Sequence, residues 1–323
     1  MRFQALSVGI QVPPHSFSGT VHSVFRRACN LSLKPGELLT LLLCEQDNVP
    51  HGIRLNASSQ LVFPALVRVG QPVASRGGIL RIDGDKLSVD LRTARLWHIE
   101  LRKLHIDLRQ SSQSQAWAVA WAELQTHHRR NGISRLFSPS EASFPASADS
   151  SVLLQQVTRA ISTLLRATRN CRSEDAGTAG SLLVGLGPGL TPSGDDFLVG
   201  YLAGLWCTAV DNPSRMRFLT ALGSELSDAA CHTNEISGAY LRSAANGHVS
   251  EPIAILAQQL SQADTMSSVR AAAQAALQVG HTSGSDGVLG MLLGCLAWQA
   301  LSPHLIFSDL LRSSVLRNST AQL

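Results

Sequence analysis

Apolar and polar positions change rhythm partway along the chain. Over roughly the first hundred residues the apolar positions come in short bursts cut by Gly, Pro and Asp, the pattern of strands and turns. Phe3–Val12 reads as a first strand, Leu38–Cys44 as a continuous apolar strand and Gly52–Asn56 as a short one. Gly78–Ile82 joins Lys86–Leu91 through Asp83-Gly84-Asp85, where Asp-Gly signals a hairpin and Leu87, Val89 and Leu91 alternate with polar residues. One stretch departs from this. Val21, Val24, Phe25 and Ala28 fall at i, i+3, i+4, i+7, which predicts a short amphipathic helix turning Arg26 and Arg27 outward. Many short strands with Gly and Pro turns suggest a small barrel or sandwich.

The period then lengthens. Gln113–Arg130 reads as a helix with Trp117, Trp121, Leu124 and His128 along one stripe. The adjacent His127 and His128 point to different sides of that helix and read as surface or cap residues. Ser138–Ser151, rich in Ser, Pro and Ala, reads as a linker. Val152–Arg166 resumes as a helix, Ser173–Gly180 reads as a polar loop, and further helices are expected near Ser214–Ala230, Glu235–Ala245, Pro252–Leu260, Ser267–Val279, Gly284–Leu301 and Ser308–Leu316. The expected fold is α+β: a mostly-β N-terminal domain over 1–137, barrel or sandwich-like, a linker over 138–151, and an all-α domain over 152–323.

Inside the helical half lies Gly185-Leu186-Gly187-Pro188-Gly189-Leu190-Thr191-Pro192-Ser193-Gly194-Asp195-Asp196. Alternate glycines and two prolines remove side-chain bulk and backbone donors, so this is a shaped loop. The apolar run from Phe197 reads as a helix that leaves it. Much of the pattern recurs at His281-Thr282-Ser283-Gly284-Ser285-Asp286, and both copies share the frame Ser-Gly-x-Asp-x3-Gly-x3-Gly. Spacings of four put Asp196, Gly200 and Gly204 on one helix face, and Asp286, Gly290 and Gly294 on another. Glycine stripes let two helix backbones approach closely. The all-α domain is therefore expected to contain two glycine-faced central helices that cross, their polar starts on one side of a cleft. Capping explains part of this, since Ser-x-x-Asp is also a capping box. It leaves Gly187-Pro188-Gly189, Thr191, Asp195 and His281-Thr282 without a purpose. A third polar cluster, Thr233-Asn234 with Ser237, reads equally as a helix cap or a ligand contact.

Composition narrows the class. With 323 residues, 44% hydrophobic and 15% charged, the chain suits two globular domains or one large one. Met1–Val8 does not read as a signal peptide, because Gln4 and Ser7 interrupt any apolar core. The longest apolar runs are too short and glycine-rich for a membrane span, so a soluble, cytoplasmic protein is expected. The 6 cysteines are scattered without a C-x-x-C pair, which argues against a zinc ribbon or disulfide framework. The net charge is +4, yet residues 176–300 hold only Arg215, Arg217, Arg242 and Arg270 against more than twice as many carboxylates. The basic first half either meets solvent or docks an acidic partner. No aromatic-interleaved basic patch suggests nucleic acid.

Chemistry follows from the two helix starts. Each offers unpaired N–H donors and the positive end of a dipole, which favour phosphate or carboxylate. Asp195, Asp196 and Asp286 repel an anion unless a cation such as Mg²⁺ bridges, or the ligand brings an amine or amide. Carbamoyl phosphate and ureido or oxamic acids fit, each having an anionic end and an –NH₂ group. A nucleotide with Mg²⁺ fits too, but the P-loop lysine is missing, as is the strand–helix–strand context of a dinucleotide fold. No metal-ligand set and no certain cofactor can be named. Gly187, Gly189, Thr191, Ser193 and Gly194 are the expected anion holders, with Thr233, Asn234, Ser237, His281, Thr282 and Ser283 completing the substrate pocket. Asp195, Asp196 and Asp286 are the expected catalytic carboxylates, working by positioning and charge stabilisation.

The order G-x-G-P-G-L-T-P-S-x-D-D, T-x-x-x-S, G-H-T-S-G-x-D resembles the AllH family. It is carried by Gly185–Asp196, by Thr233–Ser237 with Leu241, Ala244 and Gly247, and by Gly280–Asp286, with fainter likeness around Val21–Leu43 and Pro50–Leu55. The resemblance implies one of three different subunits of a bacterial oxamate carbamoyltransferase used in allantoin breakdown (oxalurate + phosphate ⇌ oxamate + carbamoyl phosphate). It implies other carbamoyltransferase subunits as partners. The S-T-R-T phosphate motif of better-known carbamoyltransferases is absent, so either the chemistry is solved differently here or it lies on a partner. The alternatives are a non-catalytic ligand-binding or scaffolding subunit and a Mg-nucleotide-dependent phosphotransferase.

Overall fold

A computed structural model describes residues 1–127 (except 35, 59 and 85), 132–137, and 148–299 (except 210 and 211). The chain divides into two compact units: Met1–Ile99 with His248–Glu251, and the remainder from Glu100. Together they make an α+β protein, a barrel followed by helices.

The first unit holds strands β1 (Arg2–Gly9), β2 (Phe17–Val24), β3 (Ala28–Lys34), β4 (Glu37–Leu42), β5 (Gly52–Leu55), β6 (Pro72–Arg76), β7 (Ile79–Ile82), β8 (Leu87–Asp90) and β9 (Arg95–Trp97). Around the barrel the order is β1-β5-β4-β3-β2-β6-β7-β8, closed where β8 runs parallel to β1. β9 extends the sheet along the second half of β1. Alternation explains which residues fill it: Leu80 and Ile82 pair with Val89 and Leu87 and are buried, while Arg81 and Ser88 face outward. The turn between β7 and β8 uses left-handed backbone at Asp83 and Gly84, as an Asp-Gly hairpin requires. Closure removes the unpaired edges that an open sheet of short strands would expose.

The helix expected over Val21–Ala28 does not form. Those residues end β2 and begin β3, which pair antiparallel with Val21 opposite Leu31. A match spread over two turns of helix is short, and both residues are buried in the barrel core, so cross-strand packing overrides it.

The second unit holds helices α1 (Ser111–Thr126), α2 (Ala148–Arg169), α3 (Ser173–Ser181), α4 (Ser193–Thr208), α5 (Pro213–Ala229), α6 (Glu235–Ala245), α7 (Glu251–Gln262, whose first residue belongs to the barrel unit), α8 (Met266–Leu277) and α9 (Ser283–Leu296). On α1, Trp117 stacks on Trp121 at 5.4 Å, as their shared stripe demands. The polar loop expected at Ser173–Gly180 is instead α3. Its glycines are packing residues, not breakers: Gly177 lies beneath Glu225, Gly180 beneath Leu226, and Ala176 and Ala179 are buried with them. Most of the expected linker, His128 and the helix expected over Ser308–Leu316 lie outside the described residues. No described helix is long and apolar enough to cross a membrane.

Candidate functional site

The centre of the helical unit is the crossing of α4 and α9, buried along nearly their whole lengths. A Cβ on Gly200 would come within 1.9 Å of the Gly287 carbonyl oxygen, and one on Gly290 within 2.0 Å of the Phe197 carbonyl oxygen. Gly204 and Gly294 repeat the contact one turn on. The backbones touch, as the matched glycine stripes require, and this fixes the two helix starts relative to each other.

Neither start uses its serine as a cap. Pro192 and Thr282 occupy the cap positions and make no side-chain cap bond, leaving Ser193 and Ser283 as the first helical residues. The capping-box explanation of the repeated Ser-x-x-Asp therefore does not hold. Instead the hydroxyls of Thr191 and Ser283 lie 2.8 Å apart, tying the loop before α4 to the start of α9.

Below that bridge are two carboxyls. Asp286 is fully buried; its Oδ1 accepts the Ser134 backbone N–H at 2.7 Å. Asp286 Oδ2 and Asp196 Oδ2 are both buried with no hydrogen-bond partner among the described residues, and so is the Ser285 hydroxyl. Burial pushes the Asp196 carboxyl up to about 8, with the like charges of Asp286 and Asp195 adding and the Ser283 and Thr191 hydroxyls partly offsetting. Burial likewise pushes Asp286 up to about 7, against the Ser134 backbone and the Ser193 hydroxyl. No ion pair among the described residues involves either group.

Asp195 has a different task. Its Oδ1 accepts the Gly185 N–H at 2.8 Å, and its Oδ2 accepts the hydroxyls of Thr233 at 2.6 Å and Ser237 at 2.7 Å. Both oxygens are thus engaged by protein, and the residue pins the Gly-rich loop to the start of α6. Thr233 and Ser237 point their hydroxyls at Asp195, and Asn234 caps α6 by accepting from the Ile236 and Ser237 N–H groups at 3.1 and 3.0 Å.

Gly187–Leu190 are an exposed stretch of the loop that leads into α4. Gly187 (φ 115) and Gly189 (φ 100) take backbone conformations that a side chain would strain. The N–H groups of Gly187, Gly189, Leu190, Thr191 and Ser193 have no hydrogen-bond partner among the described residues. Five free donors at the positive end of a buried helix suit an oxyanion. Gly194 serves packing: a Cβ there would meet the Leu183 carbonyl oxygen at 1.8 Å. Thr282 is half-buried and His281 exposed at the α9 start.

The structure thus brings Thr191, Ser193, Asp196, Ser283 and Asp286 together, and sets Asp195, Thr233, Asn234 and Ser237 in the supporting framework behind them. The 3₁₀ turn Gly132–Phe137 also belongs to the site. A Cβ on Gly132 would meet Asp286 Oδ2 at 2.3 Å and the Ser193 hydroxyl at 2.4 Å. Gly132 and Ser134 are not among the residues expected from sequence; the Asn131-Gly132 pair, a turn signal, is the only local clue to them. Among the described residues no three or more His, Cys, Asp or Glu side chains converge as a metal cage would need. A cleft of 540 Å³ lined by α2 and α3 reaches the loop only through Leu186, and none of the polar residues above lines it.

Comparison with known proteins adds two findings. The family model described as oxamate carbamoyltransferase subunit AllH matches residues 183–295, which contain the loop, α4, α6 and α9. The model described as AllH family N-terminal domain matches residues 4–96, the barrel strands. No solved structure matches the chain.

Proposed function

The chain belongs to the AllH family, and from that premise we propose that it is the subunit of a carbamoyltransferase that holds a small anionic amide substrate at the starts of α4 and α9. The substrates are oxamate or oxalurate and carbamoyl phosphate, and other subunits of the enzyme are its partners in the cytoplasm. In the reaction a phosphate oxygen joins the ureido carbon of oxalurate and the C–N bond to the oxamate nitrogen breaks. The proton of hydrogen phosphate ends on that nitrogen, giving carbamoyl phosphate and oxamate.

The observation that supports this reading is the 2.8 Å contact between the Thr191 and Ser283 hydroxyls, which joins the loop of unpaired backbone donors before α4 to the start of α9. The N–H groups of Gly187, Gly189, Leu190, Thr191 and Ser193 hold the carboxylate or phosphate oxygens by charge-assisted bonds. The Thr191, Ser193 and Ser283 hydroxyls orient the amide end, being able both to donate and to accept. Asp196 and Asp286 line the reacting end. Asp195 is a positioning residue: it touches the loop and α6 and keeps that loop in shape.

The test is a thermal-shift series on the chain alone with oxamate, oxalurate, carbamoyl phosphate and nucleotide, each with and without Mg²⁺. A ligand at a hundred times its Kd adds about 2.7 kcal/mol of stability. Stabilisation by the small acids, lost in T191V and S283A, is the expected result. Stabilisation by nucleotide and Mg²⁺ alone turns the assignment to a phosphotransferase, and no shift with any ligand turns it to a scaffolding subunit.

A further inference from the structure

We propose, resting on the anion-site reading above, that Asp196 and Asp286 work as a single proton-holding pair, so that the site takes up a proton together with its oxyanion. The two carboxyls come from the starts of two helices whose backbones touch, and each buries an oxygen that no described group satisfies. The like charges bearing on Asp196 are Asp286 from α9 and Asp195 on its own helix. The loop Gly185–Pro192 and the described side chains of the Gly132 turn carry no ionisable group. The other charged groups on the described elements packed against α4 and α9 are Glu235 and Arg242 on α6, Arg102 and Lys103 of the 3₁₀ turn Leu101–Lys103, Arg215, Arg217, Glu225 and Asp228 on α5, exposed His281 before α9, and Glu123 on α1, which pairs with Arg270 of α8 at 2.8 Å.

Two largely buried carboxyls with no described cationic side chain paired to them do not both ionise at neutral pH, because each raises the cost of charging the other. One carboxyl therefore keeps its proton, and a neutral carboxylic acid is a hydrogen-bond donor. An arriving oxyanion adds another negative charge and strengthens that preference. The repulsion between acidic residues and an anionic ligand is thereby removed. The same proton lies where the reaction needs one: in the oxalurate direction the pair passes a proton to the departing amide nitrogen and recovers one from hydrogen phosphate, so the pair is unchanged at the end.

The experiment is isothermal titration calorimetry with oxamate, and with sulfate as a tetrahedral probe, neither of which titrates between pH 6 and 9. Each is measured in two buffers of different ionisation enthalpy, whose difference counts the protons bound. The expected result is proton uptake that grows as pH rises through 8 toward one proton per ligand, with affinity then falling about tenfold per pH unit. D196N and D286N, which replace an acid O–H by an amide N–H, are expected to cut the uptake and flatten the slope. Binding of oxamate with no proton uptake and no pH slope overturns the proposal while leaving the anion site standing. Binding that requires Mg²⁺ and releases protons also overturns it. Failure of both probes to bind at any pH removes the site reading itself, and the pair's role with it. If neither variant folds, the wild-type proton count decides.

Discussion

Thr191 and Ser283, 92 positions apart, place their hydroxyl oxygens 2.8 Å from each other. Thr191 stands two residues before one copy of the repeated frame and Ser283 opens the other, so this single contact brings the two copies to one site. Losing one hydroxyl removes a hydrogen bond worth about 1 kcal/mol to the fold. T191V and S283A are therefore expected to melt within a few degrees of the parent. Both are expected to lose the stabilisation given by oxamate or carbamoyl phosphate, read by thermal shift. A variant that melts far lower yet keeps its ligand response would make the contact a structural brace.

The crossing of α4 and α9 leaves no room for a methyl group. G200A and G290A would each drive a Cβ to about van der Waals overlap with a backbone carbonyl of the opposite helix, which no side-chain rotation can relieve. Overpacking of this kind costs about 3 kcal/mol or more. Urea unfolding of the two variants should show that loss. G189A makes the informative contrast: nothing lies within 4 Å of its Cβ, so only the left-handed backbone is strained, at about 1 kcal/mol. Its expected defect is in ligand affinity.

Adjacent aspartates separate framework from site. Asp195 accepts from Gly185, Thr233 and Ser237, so D195A strands three donors from two segments. About 3 kcal/mol of stability should go, because buried donors left unpaired lose their full hydration. Asp196 has a buried oxygen that no described residue satisfies, and D196N is expected to cost little stability or to gain some. Chemical denaturation of both variants checks the order. A D196N loss as large as that of D195A would assign the two residues the same role.

Much of this was legible in the chain because the signals are local. The Gly-x-Gly-Pro-Gly loop, the spacing of Gly200 and Gly204, and the Asp83-Gly84 hairpin each depend on neighbours a few residues away. The matched frame around Asp196 and Asp286 even implied that two distant helices would cross. What was hidden depends on partners far along the chain. Ser134 reaches Asp286 across 152 positions, and nothing in its own neighbourhood marks it. The two aspartates at 195 and 196 look equivalent in sequence; only the positions of Gly185, Thr233 and Ser237 tell them apart. Ser173–Gly180 reads as a loop because the purpose of its glycines, making room for Glu225 and Leu226, is tertiary. Val21–Ala28 met a helical template over too few residues to outweigh the barrel's pairing.

The raised carboxyls also set how the fold responds to pH. Asp196 at about 8 and Asp286 at about 7 hold their protons more tightly folded than unfolded, where an aspartic acid has an ordinary value of 3.8. Wherever the folded state binds more protons, stability falls as pH rises. Their contribution is therefore complete below about pH 4 and is lost progressively as pH climbs through 7 and 8. Asp107 acts in the opposite sense: hydrogen bonds from Arg109 hold it down to about 2, so its contribution is present above pH 4 and lost in acid. The melting temperature of the helical unit is thus expected to be highest near pH 5 and to decline toward pH 9. D286N removes one titrating group and should flatten the alkaline side of that curve, since an amide cannot ionise. Melting curves of parent and variant at unit steps of pH, in buffers without phosphate or other oxyanions, check this. A parent whose stability rises between pH 5 and 9 would mean that the buried pair is satisfied by a cation when folded, and that its protons are released, not kept.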